Sequence, residues 1–240
     1  ATPAFAGFKA YAQYSFDTDS KDDYDGAGLH GVEGKSSVDR YYAIGLTYAN
    51  GPLNLAAVVD QTNFSTTKWN GVDWGNPVDD ALTVTVGGNY DFQVVKLYAG
   101  AQYFDNADLN SIDNIFSKDF ALSPAQTERF QVKGYGLTIG ADIPAAGGTF
   151  KVATSYLDGT IDKVNGWDMA TAIGATFGEI DISRWNTSAG YLYSLSKRTS
   201  LYGVASYSYQ TVKGQKDFNG YSLDVAPTVI EVAAGIVHKF

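Results

Sequence analysis

The side chains that could carry chemistry in this chain are few. Cysteine is absent, which removes disulfides, thiolate metal sites and cysteine nucleophiles. The two imidazoles, His30 and His238, stand far apart in sequence. His30 lies in an acidic stretch, positions 17–37, with Asp17, Asp19, Asp22, Asp23, Asp25 and Glu33. Several carboxylates in one loop are what a hard cation such as Ca²⁺ requires. Their spacing is not that of an EF-hand, however, and a run of like charge in a loop reads as a solvated surface. The expectation is therefore no metal and no cofactor. No P-loop, Gly-x-Ser-x-Gly or His-Glu-x-x-His occurs, so no catalytic residue is assigned. What remains are single charges set into segments of small and apolar residues: Lys9, Lys96, Lys151, Asp60 and Glu231. Charges placed so do not build a catalyst. They can line a wet wall and act on passing solutes through their field.

The elements that must hold these residues are read from period-two alternation. Ten segments show it: 6–16, 38–49, 53–64, 80–91, 94–105, 131–142, 149–157, 185–195, 200–210 and 228–240. The one hint of helix is a short turn over 169–177. The chain of 240 residues is 45% hydrophobic, too apolar for disorder, and reads as a single domain over 1–240. A net charge of −9 excludes the basic face that a nucleic acid needs. No apolar run reaches the roughly 18 residues of a membrane helix. The chain opens without a signal peptide and without Met, which reads as processed or cut.

The connections alternate between short (50–52, 92–93, 143–148, 196–199) and long (17–37, 65–79, 106–130, 158–184, 211–227). A membrane β-barrel keeps short turns on one side and long loops on the other. Its strands also need about 9–11 residues, longer than is usual in soluble sheets. Aromatic residues gather at the segment ends, among them Tyr14, Tyr42, Tyr48, Tyr90, Tyr103, Tyr156, Trp185 and Tyr209. Such rings prefer the headgroup level. Alternation then assigns the faces. Leu46, Leu55, Val84, Leu97, Leu137, Ile139 and Val152 point to lipid. Lys9, Lys96, Lys151, Asp60 and Glu231 fall on the opposite parity, among Thr, Ser, Asn and Gln. An interior of that kind is wet rather than packed. His238 has lipid-side parity close to the chain end.

Here the residues resemble a known family. Thr2–Ser15 (TPAFAGFKAYAQYS), Tyr41–Leu53 (YYAIGLTYANGPL), Ala189–Tyr202 (AGYLYSLSKRTSLY) and the terminal Gly235–Phe240 (GIVHKF) are similar to Gram-negative general diffusion porins of the β-proteobacterial type. The resemblance implies an all-β fold, an antiparallel transmembrane β-barrel meander with about ten of sixteen strands represented. It implies an outer-membrane homotrimer for passive diffusion of small hydrophilic solutes and ions. Membrane lipid and lipopolysaccharide would be its other partners. Phe240 matches the family's assembly signal. The stretch at Thr2–Phe8 follows the inward-folded constriction loop in that family, so six strands and that loop are expected upstream of Ala1. Two other readings stand beside it. One is a ten-stranded outer-membrane barrel enzyme of protease type, which would need His30 with the neighbouring Asp cluster. The other is a soluble all-β sugar-binding module.

Overall fold

The computed structural model describes residues 1–15, 40–63, 68–69, 72–73, 79–108, 130–164, 167–168, 179–214 and 224–239. The acidic loop with His30, the possible helical turn at 169–177 and Phe240 lie outside these residues. Ten long strands carry the fold. They are β1 (Phe8–Ser15), β2 (Arg40–Asn50), β3 (Leu53–Asn63), β4 (Ala81–Asp91) and β5 (Lys96–Asp108). They continue as β6 (Phe130–Ala145), β7 (Gly148–Val164), β8 (Ile180–Ser194), β9 (Thr199–Gly214) and β10 (Thr228–His238). Each pairs antiparallel with its neighbours in sequence, so the sheet is a plain meander. Meander order alone puts every short turn at one end and every long connection at the other. Among the described residues β1 pairs only with β2, and β10 only with β9.

The short turns show why these residues reverse the chain. Gly51 and Pro52 join β2 to β3, and Gly51 supplies the left-handed backbone at φ 55°. Between β6 and β7 only Ala146 and Gly147 are left over, both with positive φ. That is the two-residue hairpin pattern with Ala where Asn or Gly is usual.

The register fixes which residues share a face. Leu46 pairs in line with Ala57, Val86, Ala101 and Leu137. Leu55, Gly88, Ala99 and Ile139 form the next row on the same side. Leu46, Leu55, Leu97, Leu137 and Ile139 are exposed there, while Val84 and Val152 on the same face are half-buried. Among the described residues no second layer covers this apolar face.

Two rows of rings bound it. Phe8 and Tyr14, Tyr42 and Tyr48, Phe150 and Tyr156, Trp185 and Tyr191 each stand six residues apart on one strand. Six residues span about 20 Å along a strand. Neighbouring rings touch: Phe8 and Tyr48 at 4.5 Å, Tyr135 and Tyr156 at 6.4 Å, Tyr156 and Trp185 at 6.1 Å between centroids. The rows do not follow the register. Trp185 lines up with Leu46, four residues from Tyr42, and the turn-side row steps by the same amount between Tyr48 and Tyr191. Four residues across six strand spacings tilt the strands by about 25° from the normal to the rows. The belt is then about 18 Å high between the Cα rows, and the hydroxyls of Tyr48 and Tyr156 reach past its edges to Asn50 and Asp158, toward the ~25 Å band of membrane barrels.

The structure departs from the sequence reading at the loop end. β5 to β9 run further than expected, β7 to Val164 and β9 to Gly214, and β8 begins at Ile180. The stretch 143–148 is mostly strand, not turn. The inner face is also not polar throughout. Phe104, Val132, Ile161, Ile180, Ile182 and Val212 form a buried apolar cluster there, with Phe130 and Leu157 packed against it. Phe104 lies in one row with Gly134, Gly159, Ile182 and Val212, and the two glycines leave room for the larger side chains. On the other face at the same level stand Asp105, Lys133, Asp158, Thr160 and Asp181. Lys133 Nζ lies 3.4 Å from Asp105 Oδ2, and the Thr160 hydroxyl donates to Asp181 at 3.1 Å. Above the loop-side rings the charged and polar residues stand on the outer face and the apolar ones on the inner, so the parity rule inverts.

Candidate functional site: the inner wall

All five charges singled out by alternation fall on one face, opposite the apolar belt. Lys9 pairs with Thr47, Asp60 with Thr83, Lys96 with Asp142, Lys151 with Asp142 and Gly190, and Glu231 with Ser206. Around them the face is lined by small and polar groups. One row reads Thr47, Ala56, Gly87, Gly100, Thr138, Ser155, Asn186, Ser208. Side chains on this face bond along the wall: Gln102 Nε2 to the Thr85 hydroxyl at 3.1 Å, Asn186 Nδ2 to the Ser208 hydroxyl at 2.5 Å. Such a surface can meet water, because its hydroxyl and amide groups keep donor and acceptor sites for solvent beside the bonds they make to one another.

Two of the five come together. Lys151 Nζ stands 2.6 Å from Asp142 Oδ2, and the Tyr98 hydroxyl donates to the same oxygen at 2.9 Å. Lys96 Nζ lies 5.3 Å from the Tyr98 ring centroid, so the second lysine flanks the same carboxylate. Asp91 pairs with Lys96 in register, and its Oδ1 accepts the Gln93 N–H at 2.7 Å. The cluster sits near the short-turn end of the wall. The other three stay apart. Lys9 is exposed on β1, Asp60 lies near the loop end, and Glu231 is on β10, where the Ser206 hydroxyl donates to it at 3.3 Å.

Sequence reasoning passed over three wall residues. Asp142 and Tyr98 carry inward parity inside the expected strands, and the alternation that placed Lys96 and Lys151 applies to them equally. Arg184 fell one residue outside the expected start of its strand. The structure pairs it with Leu157 and Gln210, on the inner face. His238 has lipid-side parity as expected, and its Nδ1 is 2.9 Å from the Thr199 hydroxyl.

Comparison with known proteins agrees with this architecture. The family model described as Gram-negative porin matches residues 1–215. An outer membrane porin protein of Bordetella pertussis is 31% identical over 242 residues, covering 100% of this chain and 56% of that protein. The solved anion-selective porin from Comamonas acidovorans aligns with a TM-score of 0.60 at 24% identity, covering 100% of this chain and 57% of that one. The chain thus spans a little over half the length of the relatives it matches.

Proposed function

The chain belongs to the Gram-negative porin family, whose place is the outer membrane, and we propose that it forms part of the wall of a water-filled channel for passive diffusion of small hydrophilic solutes and ions. The observation that carries this reading is the division of one sheet into two faces. The belt of Leu46, Leu55, Leu97, Leu137 and Ile139 is exposed, and among the described residues no layer covers it, which in water would be a large apolar liability. In lipid it is the stable arrangement. The opposite face presents Thr, Ser, Asn and paired charges, which lipid would reject and a wet lumen accepts.

In this reading the whole protein is a sixteen-stranded barrel that assembles as a homotrimer. The chain contributes ten of the strands, and the remaining strands, with the constriction loop, precede Ala1. β1 and β10 each lack a second partner among the described residues, and an open edge in lipid costs several kcal/mol per unsatisfied group. Further strands of the same wall are what such edges call for. Lys9, Lys96, Lys151 and Arg184 line the lumen with Asp60, Asp142 and Glu231, and opposed charges set the ion preference. Phe240 serves as the assembly signal, and lipopolysaccharide contacts the rim above the loop-side rings. The protein works as a channel and not as an enzyme. The protease-type alternative needs a barrel closed at ten strands, which the β1 and β10 pairings do not support.

Planar-bilayer recording of the protein that carries this sequence, purified from outer membranes, tests the proposal. Stepwise, ohmic conductance in KCl is the expected result. Inserted protein that passes no current overturns it.

A further inference from the structure

Resting on the channel reading, we propose that a depression on the inner wall near the short-turn end is a binding site for a small aromatic carboxylate. The depression is open to the lumen side, with a volume of about 410 Å³, and runs over β5 to β9. Its floor is made of small residues. Gly140, Ala153 and Ser188 form one row, and Gly190 lies in the next row between Lys151 and Val204. A side chain at Gly190 would meet the Gly203 carbonyl oxygen at 3.0 Å and Val204 at 3.3 Å, so the slot is open because this position is glycine.

Its two walls differ in chemistry. On one side Lys151 is tied to Asp142 Oδ2 at 2.6 Å, with the Tyr98 hydroxyl on the same oxygen at 2.9 Å. Asp142 is therefore well occupied. Lys151, about half exposed at 49%, uses one of three donors and keeps the others for an anion. Lys96 beside Tyr98 adds a second cation to that wall. On the other side stand Leu192, Tyr202 and Val204. The Tyr202 ring lies against Gly235, where any side-chain carbon would come within 2.7 Å of the ring atoms. Glycine there gives the ring room against the neighbouring strand while Tyr202 lines the slot.

Lys151 and Val204 are two strand spacings apart, about 10 Å. A benzoate-sized anion spans that gap with its carboxylate at Lys151 and its ring over Gly190. Leu192 and Val204 then bury ring surface, and Tyr202 adds an aromatic contact. A small hydrated anion would leave this apolar wall wet and gain only the Lys151 contact. An amine would meet the Lys151 ammonium first.

The test is channel block in planar bilayers, using the whole protein that carries this chain, with benzoate, acetate and benzylamine added on the short-turn side. Benzoate is expected to reduce the KCl current at a concentration about tenfold below acetate, from the ring surface it buries. Benzylamine should not block. Lys151→Gln should weaken benzoate block about tenfold, the loss of one charge-assisted hydrogen bond, and Lys151→Arg should restore most of it. Leu192→Ser should bring benzoate close to acetate. A conducting channel on which benzoate and acetate act alike, or whose benzoate block is unchanged in Lys151→Gln, overturns the site and leaves the channel reading intact. A protein that conducts nothing overturns the channel reading and the site with it.

Discussion

Lys151 on β7 and Asp142 on β6 face each other across the hairpin that Ala146 and Gly147 close, 2.6 Å apart between Nζ and Oδ2. Among the described residues the pair is the inner wall's densest point of charge, with Lys96 and Tyr98 completing it from β5. Half-exposed ion pairs contribute little to stability, so the consequence of this one lies in permeation.

Asp142→Asn keeps the shape and removes the negative charge between two lysines. Reversal potentials across a KCl gradient should shift toward anion permeability. Unfolding in urea should change by less than about 1 kcal/mol. A shift toward cations would contradict the placement of Lys96 and Lys151 on the wet face.

Leu137 and Thr138 are adjacent on β6 and face opposite ways. Leu137→Arg puts a guanidinium into the apolar belt and should cost about 2–4 kcal/mol of folding stability in vesicles. Thr138→Arg should fold with little loss and move selectivity toward anions. Equal folding costs for the two variants would mean that the faces are assigned wrongly.

Ile161 is 1% exposed in the inner cluster, while Ile139 is 61% exposed on the belt. Ile161→Ala leaves a cavity and should lower stability by about 2–5 kcal/mol. Ile139→Ala loses only a lipid contact, under about 1 kcal/mol. Denaturant titration of both variants decides it. The reverse order would show that the cluster is not a packed core.

The ten strands and their faces were legible in the sequence for a plain reason. Lipid and water lie on the two sides of one sheet, so adjacent side chains answer to opposite solvents, as Leu137 and Thr138 do. The loop-end extensions were not legible. Ile180, Asp181 and Ile182 alternate as cleanly as any strand, but with apolar residues on the inner parity, the opposite of the rule that holds between the rings. Read with one rule for the whole chain, they fell into a loop. The Asp142 partnership was hidden for another reason: which charge meets which across β5, β6 and β7 depends on register, and register depends on turns as short as Ala146–Gly147. Arg184 was lost to a strand boundary misplaced by a few residues.

The inversion at the rings makes the last prediction. The chain has no cysteine, so single-cysteine variants report on one site each. On β8, Ser188 pairs with Ala153 and Ser206 on the inner face, and Ala189 with Val152 and Ala205 on the belt. Ser188→Cys should react with a charged, membrane-impermeant maleimide, because its wall is wet. Ala189→Cys should resist that reagent and react with a lipid-soluble one. Thr187 on the belt and Asn186 on the wall should continue the alternation. Past Trp185 the pattern should reverse. Ser183, half-buried on the outer face, stands above the ring row where water replaces lipid, so Ser183→Cys should take the charged reagent. Ile182, on the inner parity, is 3% exposed inside the cluster, so Ile182→Cys should take neither quickly. The alternation tests the two faces, and its reversal at Trp185 locates the membrane boundary on the chain. A period-two pattern that runs unchanged from Gly190 to Ile180 would place the whole strand in lipid. The loop-end cluster would then have to be reassigned as lumen-exposed wall.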